Sequence, residues 1–490
     1  FPYTTLFRSI TVPFCIESPL SGLGHRDFVE MMWYHRKLDV PADWNERIIL
    51  LLGGVDYHCH VFIDGRLVGR HAGGQCGFCF DISRYVTPGG SHDLVLCVED
   101  YTRGYVQPSG KQSSGYHSGG CHYTRVTGIW QTVWMEPVST YGLRDLHVIP
   151  DLDGACFHVQ PRFWALKPGA ALKVTLRDGE HPVARVTQPM AEGMILTVPV
   201  PDPKPWFPGV PFLYELDLEL VDPAGEVIDS VGSYAGLRKV SIDGSRVMLN
   251  NQPIYQRLVL DQGLYPDGIW TAPSDEALKH DIELSIAAGF NGARLHQKVF
   301  EPRFHYWADR LGYLTWGESA SWGCNPSSFE GRDNFLREWR EIVTRDRSHP
   351  SIVAWTPWNE AWWIQDETHF GRTLVESYEL TRSLDSTRPV NTASGGAHTR
   401  TDLWTVHSYA QTANELARVA SAKQDGHLEQ VQPKLGDANP YDGQPVLIDE
   451  FGGIKWVPPG QRDAGWGYGD APTSLEEFYQ RLNELVDALI

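Results

Sequence analysis

No apolar run in the chain approaches the roughly 18 residues that a membrane span needs. The densest, over residues 48–52, is strand-sized. Positive charge is scarce too. Lys and Arg number 42 against 61 Asp and Glu, a net charge of −19. That argues against the basic face through which proteins usually bind nucleic acid. The eight cysteines share no repeating spacing. Cys76 and Cys79 form a lone C-x-x-C, with His58, His60 and His71 upstream. A zinc site wants a second ligand pair at a defined spacing. Small reduced thiols buried in the strands of a cytosolic protein are the plainer reading.

What is present is bulk, turns and aromatic surface. A length of 490 residues implies two to four domains, and 42% apolar residues allow a sizeable core. The 47 Gly and 33 Pro mark many turns, as β-rich architecture requires. Of 18 Trp, twelve lie after residue 238. Trp fills cores first, but its flat face also stacks on sugar rings. Residues 1–9 (F-P-Y-T-T-L-F-R-S) read like one translated frame of a common short-read sequencing adapter and are set aside as an artefactual tail. The natural frame is then expected to begin inside a gene, so a missing leader says nothing. The other end falls within a helical pattern.

Short strands with turn signals fill residues 10–139. Alternation over 33–40, the run 48–52, an Asp64-Gly65 hairpin and strands at 93–98 and 131–134 predict a jelly-roll β-sandwich. About seven further strands over 140–237 predict an immunoglobulin-like sandwich. From 238 to 490 apolar strands alternate with amphipathic helices, which means a parallel sheet covered by helices. Ser274 caps a helix over 275–288 that stops at Gly289. Strands fall near 254, 290, 313, 352, 389, 403 and 445. The expectation is a (β/α)₈ TIM barrel lacking its last strand, with long loops such as 410–444 taking up the length. Residues 10–490 alone would then be poorly soluble and inactive.

In such a barrel catalytic groups end the strands. Strand two ends with Arg294 and His296, strand three with Glu318, and strand four with Asn359 and Glu360. Strand six ends with His407 and Tyr409, and strand seven with Asp449 and Glu450. The mouth would be lined by Trp316, Trp322, Trp358, Trp404 and Trp456. Two carboxylates on neighbouring rims of an aromatic pocket suggest glycoside hydrolysis, where one acid protonates the leaving oxygen and a second attacks or activates water. Glu360 and Glu450 are the best pair, although Asp449 rivals Glu450 because strand alternation points only one of them inward. His296 and His407 read equally as hydrogen-bonded core histidines. Trp362 and Trp363 could simply pack the following loop.

The run from His349 and Pro350 to Trp358-Asn359-Glu360 resembles the acid/base signature of glycoside hydrolase family 2. Asp449-Glu450-Phe451-Gly452-Gly453 resembles its nucleophile motif, and Phe290-Asn291-Gly292-Ala293-Arg294 its second strand. Val12-Pro13-Phe14, Gly73-Gly74 and the stretch Gly128-Ile129-Trp130-Gln131-Thr132-Val133-Trp134 resemble its sugar-binding sandwich. The resemblance implies a retaining exo-β-glycosidase. Glu360 would be acid/base and Glu450 nucleophile. Asn359 would hold the sugar 2-hydroxyl and Arg294 would orient Glu450. His296, His407, Tyr409 and Trp456 would line the sugar subsite, with Trp316 and Trp404 nearby. Glu318 lies where some relatives bind a divalent cation, and also reads as a hydrogen-bond acceptor of the wall. No other cofactor is implied. The partner would be a glycoside or oligosaccharide, with a homo-oligomer left open. β-Galactoside stands first as substrate, then β-glucuronide or β-mannoside. Leu295-His296-Gln297-Lys298 replaces the Ser-His-Tyr-Pro-like run of many relatives, which leaves the sugar open. The alternatives are a carbohydrate-binding protein without catalysis and a synthetic, transferase-like use of the same carboxylates.

Overall fold

The computed structural model describes residues 8–361, 366–422, 441–457 and 465–490. Most of the adapter-like tail, together with Trp362 and Trp363, lies outside them. The first unit is the expected sandwich. One antiparallel sheet runs in the order Met31–Asp39, Ser91–Glu99, His58–Ile63, Arg66–Ala72. Another sets Arg47–Leu52 between Phe78–Asp81 and Val133–Val138. Alternating residues of both, among them Leu50, Leu52, Val61, Ile63, Leu94 and Leu96, enclose one core. The hairpin joining His58–Ile63 to Arg66–Ala72 turns at Asp64 and Gly65, both at positive φ, which matches the right-handed twist of the flanking strands.

The second unit has seven strands of regular length in two antiparallel sheets. Leu143–Asp151, Cys156–Phe163 and Leu196–Pro199 form one. His181–Pro189, Ala171–Asp178, Tyr214–Val221 and Val227–Ala235 form the other. Their inner faces meet through Phe157, Val159, Leu172, Val174, Leu216 and Leu218.

The third unit is the TIM barrel. Leu258–Asp261, Gly292–Leu295, Leu314–Glu318 and Ile352–Thr356 pair in parallel, in chain order. The short strand Trp358–Asn359 extends the fourth and pairs with Ala393–Ser394, and Trp404–Ser408 pairs with Val446–Phe451. Seven strand positions therefore line the barrel among the described residues. Ser274 caps helix Asp275–Ala287, and its hydroxyl accepts the Ala277 N–H. Pro302 opens the next helix and Gly312, at φ 70°, ends it. Alternation then divides each barrel strand. Leu295 packs outward on Leu278 and Ile282 of the first helix, while Arg294 faces the interior. Two elements escaped the sequence pattern. A hairpin, Val240–Asp243 with Arg246–Leu249, seals the barrel floor against Leu314, Trp316 and Val353. A helix over Ala413–Ser421 occupies part of what reads as a long loop.

The second sandwich is fastened to the barrel. Trp206, fully buried, packs into the floor cluster and donates its indole N–H to the Asp309 carbonyl at 2.7 Å. The Asp309 carboxylate accepts from Tyr234 of the sandwich at 2.8 Å and contacts His349 of the barrel at 2.6 Å. Trp206→Ala should therefore lower stability by about 3–5 kcal/mol, read as a drop in the urea midpoint. A loss below about 1 kcal/mol, the size of a surface change, would show that the two units share no core.

Candidate active site

The site is built where the parallel strands end. Arg294, fully buried on the second strand, is its hub. Nε donates to Glu318 Oε2 at 2.6 Å, Nη1 to Glu450 Oε1 at 2.9 Å, and Nη2 to Asn359 Oδ1 at 2.6 Å. The last bond orients the Asn359 amide, because once Oδ1 is taken by the guanidinium the NH₂ must point elsewhere. That NH₂ has no protein partner among the described residues, which leaves its donors unspent.

Glu450 is flanked on its other sides. His407 Nε2 lies 3.3 Å from its Oε1, and the Tyr409 hydroxyl donates to Oε2. Burial works against ionisation here, but Arg294 and His407, helped by the Tyr409 hydrogen bond, outweigh it and hold the Glu450 carboxyl at about 2. It is therefore anionic across any working pH. Tyr409 is stacked on Tyr468 with ring centroids 3.6 Å apart, which fixes the hydroxyl's direction.

His407 links the two carboxylates. Its Nδ1 meets Glu360 Oε1 at 2.7 Å while Nε2 faces Glu450. Burial would favour the neutral ring, but Asp449, Glu360 and Glu450 reverse this and raise its pKa above the ordinary 6.5. The ring fits only because residue 395 is glycine, since a Cβ there would lie 2.4 Å from the imidazole. Glu360 itself has φ 44°, a strained backbone for a non-glycine residue at the tip of its strand. One oxygen of Glu360, one of Glu450 and a His407 nitrogen all lie within 4.8 Å of one another.

Asp449 does not turn away as strand alternation predicts. The pairing of the sixth and seventh strands shifts register between Val406 and His407, so neighbouring carboxylates share one neighbourhood. Asp449 accepts from Ser394 Oγ at 2.6 Å and stands 3.6 Å from Arg294. Glu450 alone takes the close Arg294 contact. Ser394 carries no motif and was not anticipated.

His296 is buried, and desolvation together with Arg294 keeps it neutral. Its Nδ1, 2.9 Å from Glu318 Oε1, is then the protonated nitrogen, leaving Nε2 as an acceptor. Glu318 spends both oxygens on the protein: Oε2 on Arg294, and Oε1 on His296 and the Gln297 N–H. Among the described residues, two groups come close enough to share a cation: Glu360, His407 and Glu450, and, on the second sandwich, Asp151, Cys156 and His158. Neither includes Glu318, whose place is that of a wall acceptor.

The tryptophans need correction. Trp316 lies in the floor cluster beneath the site, with its N–H on Gln256 Oε1 at 2.7 Å. Trp404 packs against His398 and Tyr441, because outward positions alternate with the inward Thr405 and His407. Trp358 stacks on Phe335 at 3.8 Å for the same reason. Trp456 packs on Phe478 of the last helix. Of the five, Trp322 meets the cluster: its N–H donates to the Asn359 carbonyl at 3.2 Å and its ring lies edge-on to His296.

Buried carboxylates around a shared guanidinium at the strand ends of a TIM barrel, behind two β-sandwiches, define the class. The comparisons agree. Residues 4–135 match the model of glycosyl hydrolases family 2, sugar binding domain; 143–238 match the model of glycosyl hydrolases family 2; and 240–462 match the family's TIM barrel domain. The chain belongs to glycoside hydrolase family 2. It is 28% identical to a β-galactosidase of Aeromonas hydrophila over 77% of this chain but only 37% of that protein. It is 25% identical to a β-glucuronidase of Paenibacillus borealis, over 93% of this chain and 78% of that one. In structure it resembles a β-D-glucuronidase of Dictyoglomus thermophilum with a TM-score of 0.78 at 20% identity, covering 99% of this chain and 86% of that chain.

Arg294 supplies the test of the electrostatics. Removing its charge takes away the largest force opposing burial at Glu450 and leaves only His407 and Tyr409, so its pKa should climb from about 2. In Arg294→Met the acid limb of kcat/KM should move to higher pH, with kcat/KM down about 10²–10³-fold. An acid limb that stays put in a folded variant would show that Arg294 does not set the ionisation of Glu450.

Proposed function

We propose that the protein is a retaining exo-β-glycosidase. The observation that carries this reading is the separation of the carboxylates. Oxygens of Glu360 and Glu450 lie within 4.8 Å. Retaining enzymes hold the carboxyl groups about 5–5.5 Å apart, and inverting ones about 6.5–9.5 Å. So close an approach of the two oxygens fits the retaining spacing better than the inverting one. Relatives named β-galactosidase and β-glucuronidase are consistent with it.

Glu450 attacks the anomeric carbon as the bond to the leaving oxygen breaks, and Glu360 gives that oxygen its proton. A glycosyl ester on Glu450 results. Water then attacks the same carbon, Glu360 takes the water proton, and Glu450 departs as carboxylate. Two inversions leave the anomer unchanged. The free Asn359 NH₂ is suited to the sugar 2-hydroxyl, and the His407 bridge couples the charge of one carboxylate to the protonation of the other. Support for β-galactoside as the sugar comes from resemblance alone.

In the full gene product, Glu450→Ala should abolish hydrolysis of aryl β-glycosides. Added azide should restore part of it, giving the glycosyl azide of inverted configuration. A glycosyl azide of retained configuration would remove Glu450 from the nucleophile's role.

A further inference from the structure

The first sandwich reaches into the site. Its segment 106–124 is bonded to the rim beyond the third barrel strand: Ser109 N–H donates to the Trp322 carbonyl at 2.8 Å and Gly110 N–H to that of Ala320 at 3.1 Å. Gly110 must be glycine there, since a Cβ would fall 2.1 Å from the Gln297 carbonyl. The next residue, Lys111, is only 9% exposed. Its ammonium lies 4.8 Å from the centre of the Trp322 ring, the ring whose N–H holds Asn359 and whose edge meets His296. His122 of the same segment lies against Trp322 as well, at 5.5 Å.

The Lys111 backbone carbonyl accepts the Tyr123 N–H, but its ammonium has no hydrogen bond or ion pair among the described residues, whereas the site's carboxylates are engaged by Arg294, His296, His407, Tyr409 and Ser394. Buried charges are ordinarily paired. A cation–π contact repays part of the desolvation and leaves the ammonium's three donors unspent. The other buried lysine nearby shows the contrast: Lys298 donates to the Gly263 and Trp270 carbonyls at 2.9 and 2.6 Å and pairs with Glu301. The chain's net charge of −19 would also turn an anionic ligand away unless a local cation met it.

We propose that Lys111 is a specificity-determining residue that binds a carboxylate on the sugar, making acidic β-glycosides, of the uronide class, the preferred substrates. The inference rests on the glycosidase reading and raises the β-uronide above the β-galactoside.

The full gene product, Lys111→Gln and Lys111→Arg are compared on nitrophenyl β-glucuronide and β-galacturonide against nitrophenyl β-glucoside and β-galactoside. Thermal shifts with free D-glucuronate, D-galacturonate, D-glucose and D-galactose are read beside them. The uronide-to-neutral ratio of kcat/KM should fall about 10- to 100-fold in Lys111→Gln and recover in part in Lys111→Arg. The uronate shift should vanish with the charge. A ratio that stays constant while both rates fall would make Lys111 a prop for Trp322 and overturn the inference. So would a preference of the unmodified protein for neutral sugars. Absence of hydrolysis with a Lys111-dependent uronate shift would sink the glycosidase reading and leave the anion site standing. Absence of both would sink the two together.

Discussion

The Arg294 guanidinium decides most of what surrounds it. Among the described residues it is the one permanent cation at the centre of the site, and it touches Glu318, Asn359 and Glu450 at once. Each contact has a separate consequence. Glu318 anchors the cation to the neighbouring strand. Asn359 is turned so that its NH₂ points away from the guanidinium and is left without a partner among the described residues. Glu450 is ionised against the pull of burial. The energetic risk is large, because a buried charge without partners costs several kcal/mol. Four strands are thereby tied to one geometry, and a displacement of any of them would strand a charge.

His407 adds a second layer. It stands between Glu360 and Glu450 with a nitrogen toward each, so a single ring positions both carboxylates. The glycine at 395 and the positive φ of Glu360 are the backbone concessions that admit this ring. The strain sits at Glu360, and the scaffold beneath, with its sealed floor of Trp206, Trp316 and Leu249, holds it.

Much of this could be read from sequence because period and punctuation agree. Alternation over the sandwich strands, Ser274 and Gly289 around a helix, and polar residues at the ends of apolar strands each have one local cause. The failures also share a cause. Proximity to strand ends points Trp316, Trp358 and Trp404 to the mouth, yet a one-residue step along a strand sends a side chain to the opposite face. Asp449 defeated the same rule in the other direction, through a register shift that no composition signals. Ser394, Lys111 and His122 were out of reach because their partners lie on other strands or in another unit of the chain. Long-range juxtaposition has no local pattern.

The segment bonded to the barrel rim changes what counts as the catalytic unit. Backbone hydrogen bonds from Ser109 and Gly110 to Trp322 and Ala320 make one wall of the cleft a seam between two folds. The barrel supplies the clustered carboxylates and the sandwich supplies part of the enclosure. A gene fusion that paired this barrel with a foreign sandwich would keep the chemistry and alter the shape of the doorway. The shape of that wall can therefore change through a loop of the first unit, at positions where mutation spares the carboxylates altogether.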